Sequence, residues 1–145
     1  MREIKFRVWH KKENRWLDPW AEEDPMLCLK DFGRGCEVYL YDRQSKDWTN
    51  KDCQMDDVVI QQYTGLKDKN GKDIYEGDIL GYFDAIVNND KERVEIKYSG
   101  GQWCEFTIRN YKGKDVKSDE PNDYYGGIHP EYKEVIGNIF EGVDK

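Results

Sequence analysis

The stretch Gln62-Tyr63-Thr64-Gly65-Leu66-Lys67-Asp68-Lys69-Asn70-Gly71-Lys72-Asp73-Ile74-Tyr75-Glu76-Gly77-Asp78-Ile79-Leu80 decides the fold of this chain. It combines an Asn-Gly pair, two further glycines and alternating apolar residues, a pattern typical of a tight β-hairpin that leads into another strand. Asn followed by Gly tolerates positive φ angles, so we expect a two-residue turn at Asn70-Gly71. A second tight turn is expected at Glu76-Gly77-Asp78. No residue in this stretch has an obvious chemical task.

The clearest hairpin lies further along the chain. Residues 93–98 and 102–109 both alternate between apolar and polar side chains, and Ser99-Gly100-Gly101 between them reverses the chain. Each strand carries a row of apolar residues that we expect to point inward. These are Val94, Ile96, Tyr98, Cys104, Phe106 and Ile108.

Other segments give weaker signals. Strands are expected at residues 3–9, with Ile4, Phe6 and Val8 inward, at 37–41 and at 57–64. A short helical turn is expected at Asp18-Pro19, where Asp would cap the turn and Pro would take its first position. Residues 84–92 and the polar residues 110–123 are expected to be loops.

The segment 130–141 leaves two alternatives open. Its apolar residues fall at helical spacing, and Pro130 fits the first position of a helix. Against this, the segment is rich in β-branched residues, and Gly137 would cost about 1 kcal/mol in the middle of a helix. We favour a strand.

Composition indicates a folded domain with a small aromatic core and a charged surface. Charged residues make up 37% of the chain, but aromatic residues make up 14%, which argues against disorder. The net charge is −7 with the two signs intermixed, which disfavours anionic membranes and lowers the expectation of nucleic acid binding. No apolar run approaches the ~20 residues that span a bilayer, and the amino terminus lacks the apolar stretch of a signal peptide. We therefore expect a cytoplasmic protein.

The sequence carries no signature of an enzyme. Its four cysteines are far apart and form no Cys-x-x-Cys pair, so reduced thiols are expected and a zinc site is not. Neither a phosphate-binding Gly-x-x-x-x-Gly-Lys loop nor a dinucleotide fingerprint is present. We predict no catalytic residue, no metal and no cofactor.

Three separated blocks resemble the YopX family. They are Met1 to Trp9, Gln62 to Leu80 with its Thr64-Gly65-Leu66 and Glu76-Gly77-Asp78-Ile79, and Glu134-Val135-Ile136-Gly137-Asn138-Ile139-Phe140-Glu141. Two positions depart from the family pattern. His10 stands where an acidic residue is common, so an acid-dependent role there is not carried over. The tail 142–145 lacks the usual Asn-Pro and leucine ending, which implies a shortened carboxyl-terminal contact.

The resemblance implies a mostly β protein of a bacteriophage or prophage, acting in the bacterial host cell and lacking an established activity. Together with the strand pattern, it leads us to expect a mainly β fold, α+β at most. The expected architecture is an SH3-like β-barrel with an additional amino-terminal β lobe and little helix. Residues 1–145 would form a single domain, with the lobe at 1–60 and the barrel at 61–145 sharing one core.

Three hypotheses for function follow from the residue pattern. The first is a non-catalytic interaction module that binds an unknown phage or host protein. Trp9, Trp103, Tyr63 and Tyr75 lie on or beside predicted strands and would line its aromatic groove, unless they fill the core.

The second hypothesis is single-stranded nucleic acid binding by Lys67, Lys69 and Lys72, with Tyr63 and Tyr75 nearby to stack on bases. Interspersed aspartates weaken it. The third is a structural homo-oligomer, because a charged protein with a modest core gains stability by self-association.

Overall fold

The computed structural model describes residues 3–18, 21, 24, 26–31, 36–41, 55–82, 93–111, 113–122 and 127–143. The chain forms two compact units. The smaller unit is Phe6–Gln61, and the larger unit joins Met1–Lys5 to Gln62–Lys145. The mainly β fold expected from the sequence is confirmed. The SH3-like arrangement and a core shared by two lobes stay predictions.

Within the described residues, the smaller unit contains four complete strands and the start of a fifth. They are β1 (Phe6–His10), β2 (Arg15–Leu17), β3 (Met26–Asp31), β4 (Cys36–Tyr41) and the first residues of β5 (Val58–Lys67), which follows a 3-10 turn at Met55–Asp57. β1 pairs antiparallel with β2, and β3 with β4. Among its described side chains, Val8, Leu17 and Val58 form a core cluster, with Ile60 packed against them.

Predictions for the amino-terminal third were only partly right. The strand expected at residues 3–9 begins at Phe6, and Ile4, which we expected to face inward, is exposed. β4 confirms the strand predicted at 37–41, whereas β3 was not predicted. Pro19 and residues 84–92 lie outside the described residues, so the helical turn and the loop expected there are not tested.

The larger unit is built on a six-stranded antiparallel sheet with the order β10-β9-β8-β7-β11-β12. Its strands are β7 (Asp78–Tyr82), β8 (Arg93–Ser99), β9 (Gln102–Tyr111), β10 (Lys114–Lys117), β11 (Lys133–Asn138) and β12 (Gly142–Val143). The short strand β6 (Asp73–Tyr75) pairs with β5. A 3-10 turn at Pro130–Tyr132 precedes β11.

The β8–β9 hairpin confirms the strongest sequence prediction. Ser99 pairs with Gln102, and Gly100 and Gly101 between them have φ angles of +60° and +84°, as a two-residue turn of this kind requires. All but one of the apolar residues expected to point inward are buried. The exception is Tyr98, which is 57% exposed because it sits in the last strand pairs before the turn, beyond the covered part of the sheet.

Cys104, Phe106 and Ile108 are buried on one face of this sheet, and the main core cluster of the larger unit lies on the other face. Five buried side chains form this cluster, namely Ile74, Leu80, Val94, Ile96 and Ile128, and Trp103 and Val135 pack against them. Each fully buried aliphatic side chain contributes about 1.5–3 kcal/mol relative to exposure. Ile74, from the central sequence block, has no exposed surface at all. That block is therefore held by the core.

The segment 130–141 is a strand, which resolves the two alternatives in favour of the residue types. β11 pairs antiparallel with β7, and its register shifts between Val135 and Gly137. A Cβ at Gly81 on β7 would lie 2.9 Å from the Ile136 side chain, so the two strands fit closely here. The loop predicted over residues 110–123 was wrong in part, because it contains β10, which pairs with β9.

Candidate binding surface

Side chain to backbone hydrogen bonds shape the β5–β6 hairpin. Thr64 Oγ1 donates to the carbonyl of Ile74 at 2.8 Å and accepts from the backbone N–H of Leu66 at 3.2 Å. Gly65 between them has a φ of +86°, in the left-handed region that favours glycine. The register shifts at this point, between the Tyr63–Tyr75 and Lys67–Asp73 pairs. The Thr64-Gly65-Leu66 motif therefore forms an irregularity that bends the strand.

Asp68 organises the tip of this hairpin. Its Oδ1 accepts hydrogen bonds from the backbone N–H groups of Asn70 at 2.8 Å and Lys72 at 2.9 Å, and its Oδ2 accepts one from Val135 at 3.0 Å. Burial alone would raise the pKa of this carboxyl group. The three N–H donors together outweigh burial and lower the pKa below its ordinary value.

The turn itself differs from the predicted two-residue form. The backbone N–H of Gly71 donates to the carbonyl of Asp68 at 2.9 Å, and the N–H of Asp68 donates to the carbonyl of Lys72 at 2.8 Å. Gly71 has a φ of +83°, but Asn70 is not in the positive region. These bonds define a three-residue loop with one left-handed glycine. The Asp68 carboxylate favours this loop because it accepts hydrogen bonds from the N–H groups of Asn70 and Lys72.

The hairpin brings the three sequence blocks together. The backbone N–H of Tyr63 donates to the carbonyl of Lys5 at 2.8 Å, and that of Ile139 donates to the carbonyl of Gly77 at 3.0 Å. At the tip, the N–H of Lys69 donates to the carbonyl of Lys133 at 3.1 Å. The motif residues thus connect the ends of the larger unit to its middle, which is a structural task.

The predicted lysine cluster is largely neutralised by acids. Lys67 and Lys5 both bind the carboxylate of Asp73, so hydrogen bonds from Lys67 first and Lys5 second lower the pKa of Asp73. The same bonds raise the pKa of Lys67. Lys69 is mostly buried, with its Nζ 3.6 Å from Glu134. Lys72 is exposed at the tip. The structure brings the three lysines onto one hairpin but not into an open basic patch.

The hairpin tyrosines do not form a stacking platform. Tyr63 is only 4% exposed, and its ring lies 5.5 Å from that of Tyr75 at an angle of 47°. The Lys5 ammonium lies 5.1 Å from the centre of the Tyr63 ring. Tyr63 is covered, so it fills the core instead of lining a groove. Tyr75 is half-buried, so only part of its ring is open to a partner.

Trp9 also lies in a core. It belongs to the smaller unit, is 3% exposed, and packs edge-to-face against Trp16 with the ring centres 4.9 Å apart. Its ring is therefore covered, as in the alternative in which Trp9 fills the core. The alternating sequence of β1 suggested that only one side of the strand is buried. Both sides are covered, because Val8, Trp9 and His10 are all buried.

Trp103 is the predicted site residue that takes part in an open aromatic surface. Its ring is half-buried against the core of the larger unit, and it meets Tyr98 edge-to-face with the ring centres 5.0 Å apart and the planes at 72°. Sequence reasoning missed Tyr98, which it placed in the core. The signal that identifies the pair is the hairpin register, because Tyr98 stands directly opposite Trp103.

Buried charges elsewhere in the larger unit serve the fold. Lys133 and Glu105 are both buried, and the Lys133 ammonium lies 2.7 Å from each carboxylate oxygen. The Glu105 carboxylate also accepts from the backbone N–H of His129 at 2.9 Å, and Lys133 donates to the carbonyl of His129 at 3.1 Å. The three contacts of Glu105 join β9 to residues 129–133, and the fourth contact lies within that segment, so the cluster holds the start of β11 against the sheet.

The described part of the chain contains neither a group of side chains arranged as a metal site nor a helix suited to a membrane. No group of three or more His, Cys, Asp or Glu side chains in the described ranges has the arrangement of a metal site. In the same part of the chain, no helix has the length and apolar character needed to cross a membrane.

Comparison with known proteins identifies the family. The model of the YopX protein family matches residues 5–143, nearly the whole chain, so the chain belongs to the YopX family. Among solved structures, the chain is similar to protein EF1440 from Enterococcus faecalis, with 26% identity, a TM-score of 0.52, and 97% of this chain and 96% of that chain covered. No curated protein matches.

Proposed function

We propose that this YopX protein is a phage or prophage accessory protein that acts without catalysis, as a module that binds another protein in the cytoplasm of the bacterial host. The observation that carries the proposal is the open aromatic pair of Tyr98 and Trp103, which we call the aromatic pair. The structural tasks of the family motifs support it indirectly, because they account for those motifs without a substrate.

The aromatic pair has the properties of a binding anchor. Trp103 is fixed by the core beneath it, whereas 57% of Tyr98 is exposed. A rigid aromatic surface binds a partner with little loss of side-chain entropy, and Tyr and Trp are enriched at the centres of protein interfaces.

Further apolar surface lies at the same end of the sheet. The backbone N–H of Gly77 donates to the carbonyl of Ile96, and the N–H of Ile139 donates to the carbonyl of Gly77, so Ile139 follows the same row of residues. Ile139 is exposed as well. A partner that covers this end of the sheet would therefore meet an apolar side chain besides the two rings.

The test compares two exposed tyrosines. Tyr98→Ser removes the open half of the aromatic pair, and Tyr132→Ser removes a tyrosine that is 77% exposed at the opposite end of the sheet. The two changes match in chemistry, and neither ring lies in the core cluster. Tagged wild type and both variants are used to recover proteins from infected host cells, followed by mass spectrometry and titration of any partner recovered.

The proposal expects a saturable partner that wild type and Tyr132→Ser bind equally and Tyr98→Ser binds at least about tenfold more weakly, a typical loss at an interface anchor. Recovery of no saturable partner from several hosts would contradict the interaction module. Equal binding by all three proteins would show that the aromatic pair is not its site.

Single-stranded nucleic acid binding is the alternative, and the ion pairs of Lys67 and Lys69 weaken it. If it held, the affinity for labelled oligothymidylate would fall steeply as salt increases, because phosphate contacts release counterions. Lys72→Ala would reduce the slope of that dependence. Undetectable or salt-independent binding at low ionic strength would remove this alternative.

A further inference from the structure

Strand β10 forms the last strand of the six-stranded sheet within the part of the chain that the structure describes. All four of its residues are exposed, and its apolar residue, Val116, is 53% exposed. An exposed edge of this kind is a template for pairing with another strand unless charge or shape opposes it. The charges on β10 therefore decide what it accepts.

The backbone of β10 directs alternate residues outward. The N–H of Ser118 donates to the carbonyl of Thr107 on β9 at 2.9 Å, and the pairing continues through Val116 with Arg109. In an antiparallel ladder, every second residue directs its N–H and C=O toward the same neighbour. Ser118 and Val116 thus direct these groups toward β9, and Asp115 and Lys117 direct theirs to the outer side.

The two outward residues carry opposite charges on one face of the sheet. Asp115 contacts Arg93, and the Lys117 ammonium lies 2.8 Å from a carboxylate oxygen of Glu95. The Asp115 and Lys117 side chains are 47% and 49% exposed. A carboxylate accepts several hydrogen bonds and an ammonium donates three, so each group has capacity for a further partner of opposite charge.

We propose that β10 pairs antiparallel with β10 of a second copy of this chain, with Val116 opposite its own counterpart on the twofold axis. This register sets Asp115 opposite Lys117 of the second copy, and by symmetry Lys117 opposite Asp115 of the second copy. Those are the residues with outward backbone groups, so the ladder and the ion pairs form in the same register. The two adjacent registers that keep outward residues opposite each other oppose Asp115 to its own counterpart or Lys117 to its own counterpart, which places like charges together. This self-association does not involve the aromatic pair and stands apart from the proposed function.

The first test uses complementary charge reversals in the full chain. Asp115→Lys alone opposes lysine to Lys117, and Lys117→Asp alone opposes two acids, so each variant should be a monomer. Mixed in equal amounts, they restore two opposite-charge pairs and should form a heterodimer. Sedimentation velocity over a range of concentrations measures all four samples, and circular dichroism checks that each variant keeps the wild-type spectrum.

The second test reports the register directly. Residues opposite each other at a non-hydrogen-bonded position have Cα atoms about 4.5 Å apart, within the range of a disulfide. Val116→Cys should therefore give a disulfide-linked dimer under mild oxidation. Lys114→Cys, two residues away on the same strand, should not, because its copies lie too far apart.

The proposal expects a concentration-dependent wild-type dimer, monomeric single variants and dimerisation of the mixture. A wild-type monomer at the highest soluble concentration would overturn it. So would a dimer that persists in both charge reversals, or equal cross-linking at the two cysteine positions. If one charge variant fails to fold, wild-type sedimentation and Val116→Cys still decide the matter.

Discussion

Replacement of Asp68 tests how the central block of the sequence is held together. In Asp68→Ala, the backbone N–H groups of Asn70, Lys72 and Val135 all lose their acceptor. Two of these groups lie in the hairpin tip and the third lies in β11, so the change acts on the hairpin and on its attachment at once.

The size of the effect follows from what can replace the carboxylate. Asn70 and Lys72 are exposed, so water can bind their N–H groups, and we assign about 0.5 kcal/mol to each lost bond. Val135 is half-buried in a strand, where a lost bond to a charged acceptor costs about 1.5–2 kcal/mol. The expected decrease in the free energy of unfolding is about 2.5–3 kcal/mol, or about 8–10 °C in melting temperature for a chain of this size.

Urea titration followed by tryptophan fluorescence and circular dichroism measures the loss at pH 7. Asp73→Ala is the matched control, because Asp73 lies on the same hairpin and its carboxylate binds the lysine side chains Lys5 and Lys67 at the surface. Lysines released there return to water, so a clearly smaller loss is expected. A loss at Asp68 below about 1 kcal/mol, or one no larger than the control, would refute the reasoning.

The pH dependence of the same variant gives an independent check. Because the pKa of Asp68 is lower in the folded protein than in the unfolded chain, its contribution is present above the unfolded value of about 3.9. It is lost as the pH falls through the folded value. The stability difference between wild type and Asp68→Ala should therefore be constant from neutral pH to about pH 5 and narrow below about pH 4.

Three further substitutions test the buried ion pair, the β8–β9 turn and the contact between Asp24 and Arg15. Lys133→Met leaves the Glu105 carboxylate buried without its cation, so urea titration should show a loss of about 3–5 kcal/mol, mostly recovered when Glu105→Gln is added. Gly101→Ala meets no atom within 4 Å at the added Cβ, so the expected loss of about 1 kcal/mol in a thermal melt comes from its positive φ alone. In the wild type, Arg15 binds both carboxylate oxygens of Asp24 and thereby lowers the pKa of Asp24. Asp24→Asn weakens this contact. It should cost about 1 kcal/mol at pH 7, and less below about pH 4 as Asp24 of the wild type is protonated.

Each of these has a distinct contrary result. For the buried pair, failure of Glu105→Gln to recover stability would show that Lys133 acts through packing instead of charge. Wild-type melting of the Gly101 variant would mean that the turn relaxes without cost. A pH-independent loss at Asp24 would mean that its charge is not what matters.

The β8–β9 hairpin was predictable because its signals are local. Two consecutive glycines, Gly100 and Gly101, permit the turn, and alternation on both sides of it indicates the two strands. What alternation does not give is where the covered part of a face ends. Tyr98 continues the apolar row of Val94 and Ile96 but lies beyond the covered region, so the open half of the aromatic pair was assigned to the core.

The strand at 133–138 shows the opposite case, in which local signals conflict and a distant partner decides. Pairing with β7 supplies hydrogen bonds that a helix would otherwise provide, and the absence of a side chain at Gly81 leaves space for Ile136. Nothing within residues 130–141 encodes that space. Sequence alone therefore left the alternatives open.

The buried charges and β10 were beyond sequence reasoning for related reasons. Glu105 looked like an outward residue of an alternating strand, and its partner Lys133 is far away in the chain. β10 is short and polar, and only the neighbouring β9 makes it a strand. Asp68 looked like an interruption of a basic patch, because a sequence does not show that a carboxylate binds backbone N–H groups.

The division of the chain has a consequence for its synthesis. Residues Phe6–Gln61 are contiguous, so the smaller unit is complete once they have left the ribosome. Met1–Lys5 precede this unit in the chain but belong to the larger unit, and the carbonyl of Lys5 receives its hydrogen bond from the N–H of Tyr63 only after Phe6–Gln61 have been translated. A segment made before the smaller unit therefore acquires its partners only after that unit. Substitutions at residues 3–5 should consequently disturb the part of the larger unit that is translated later.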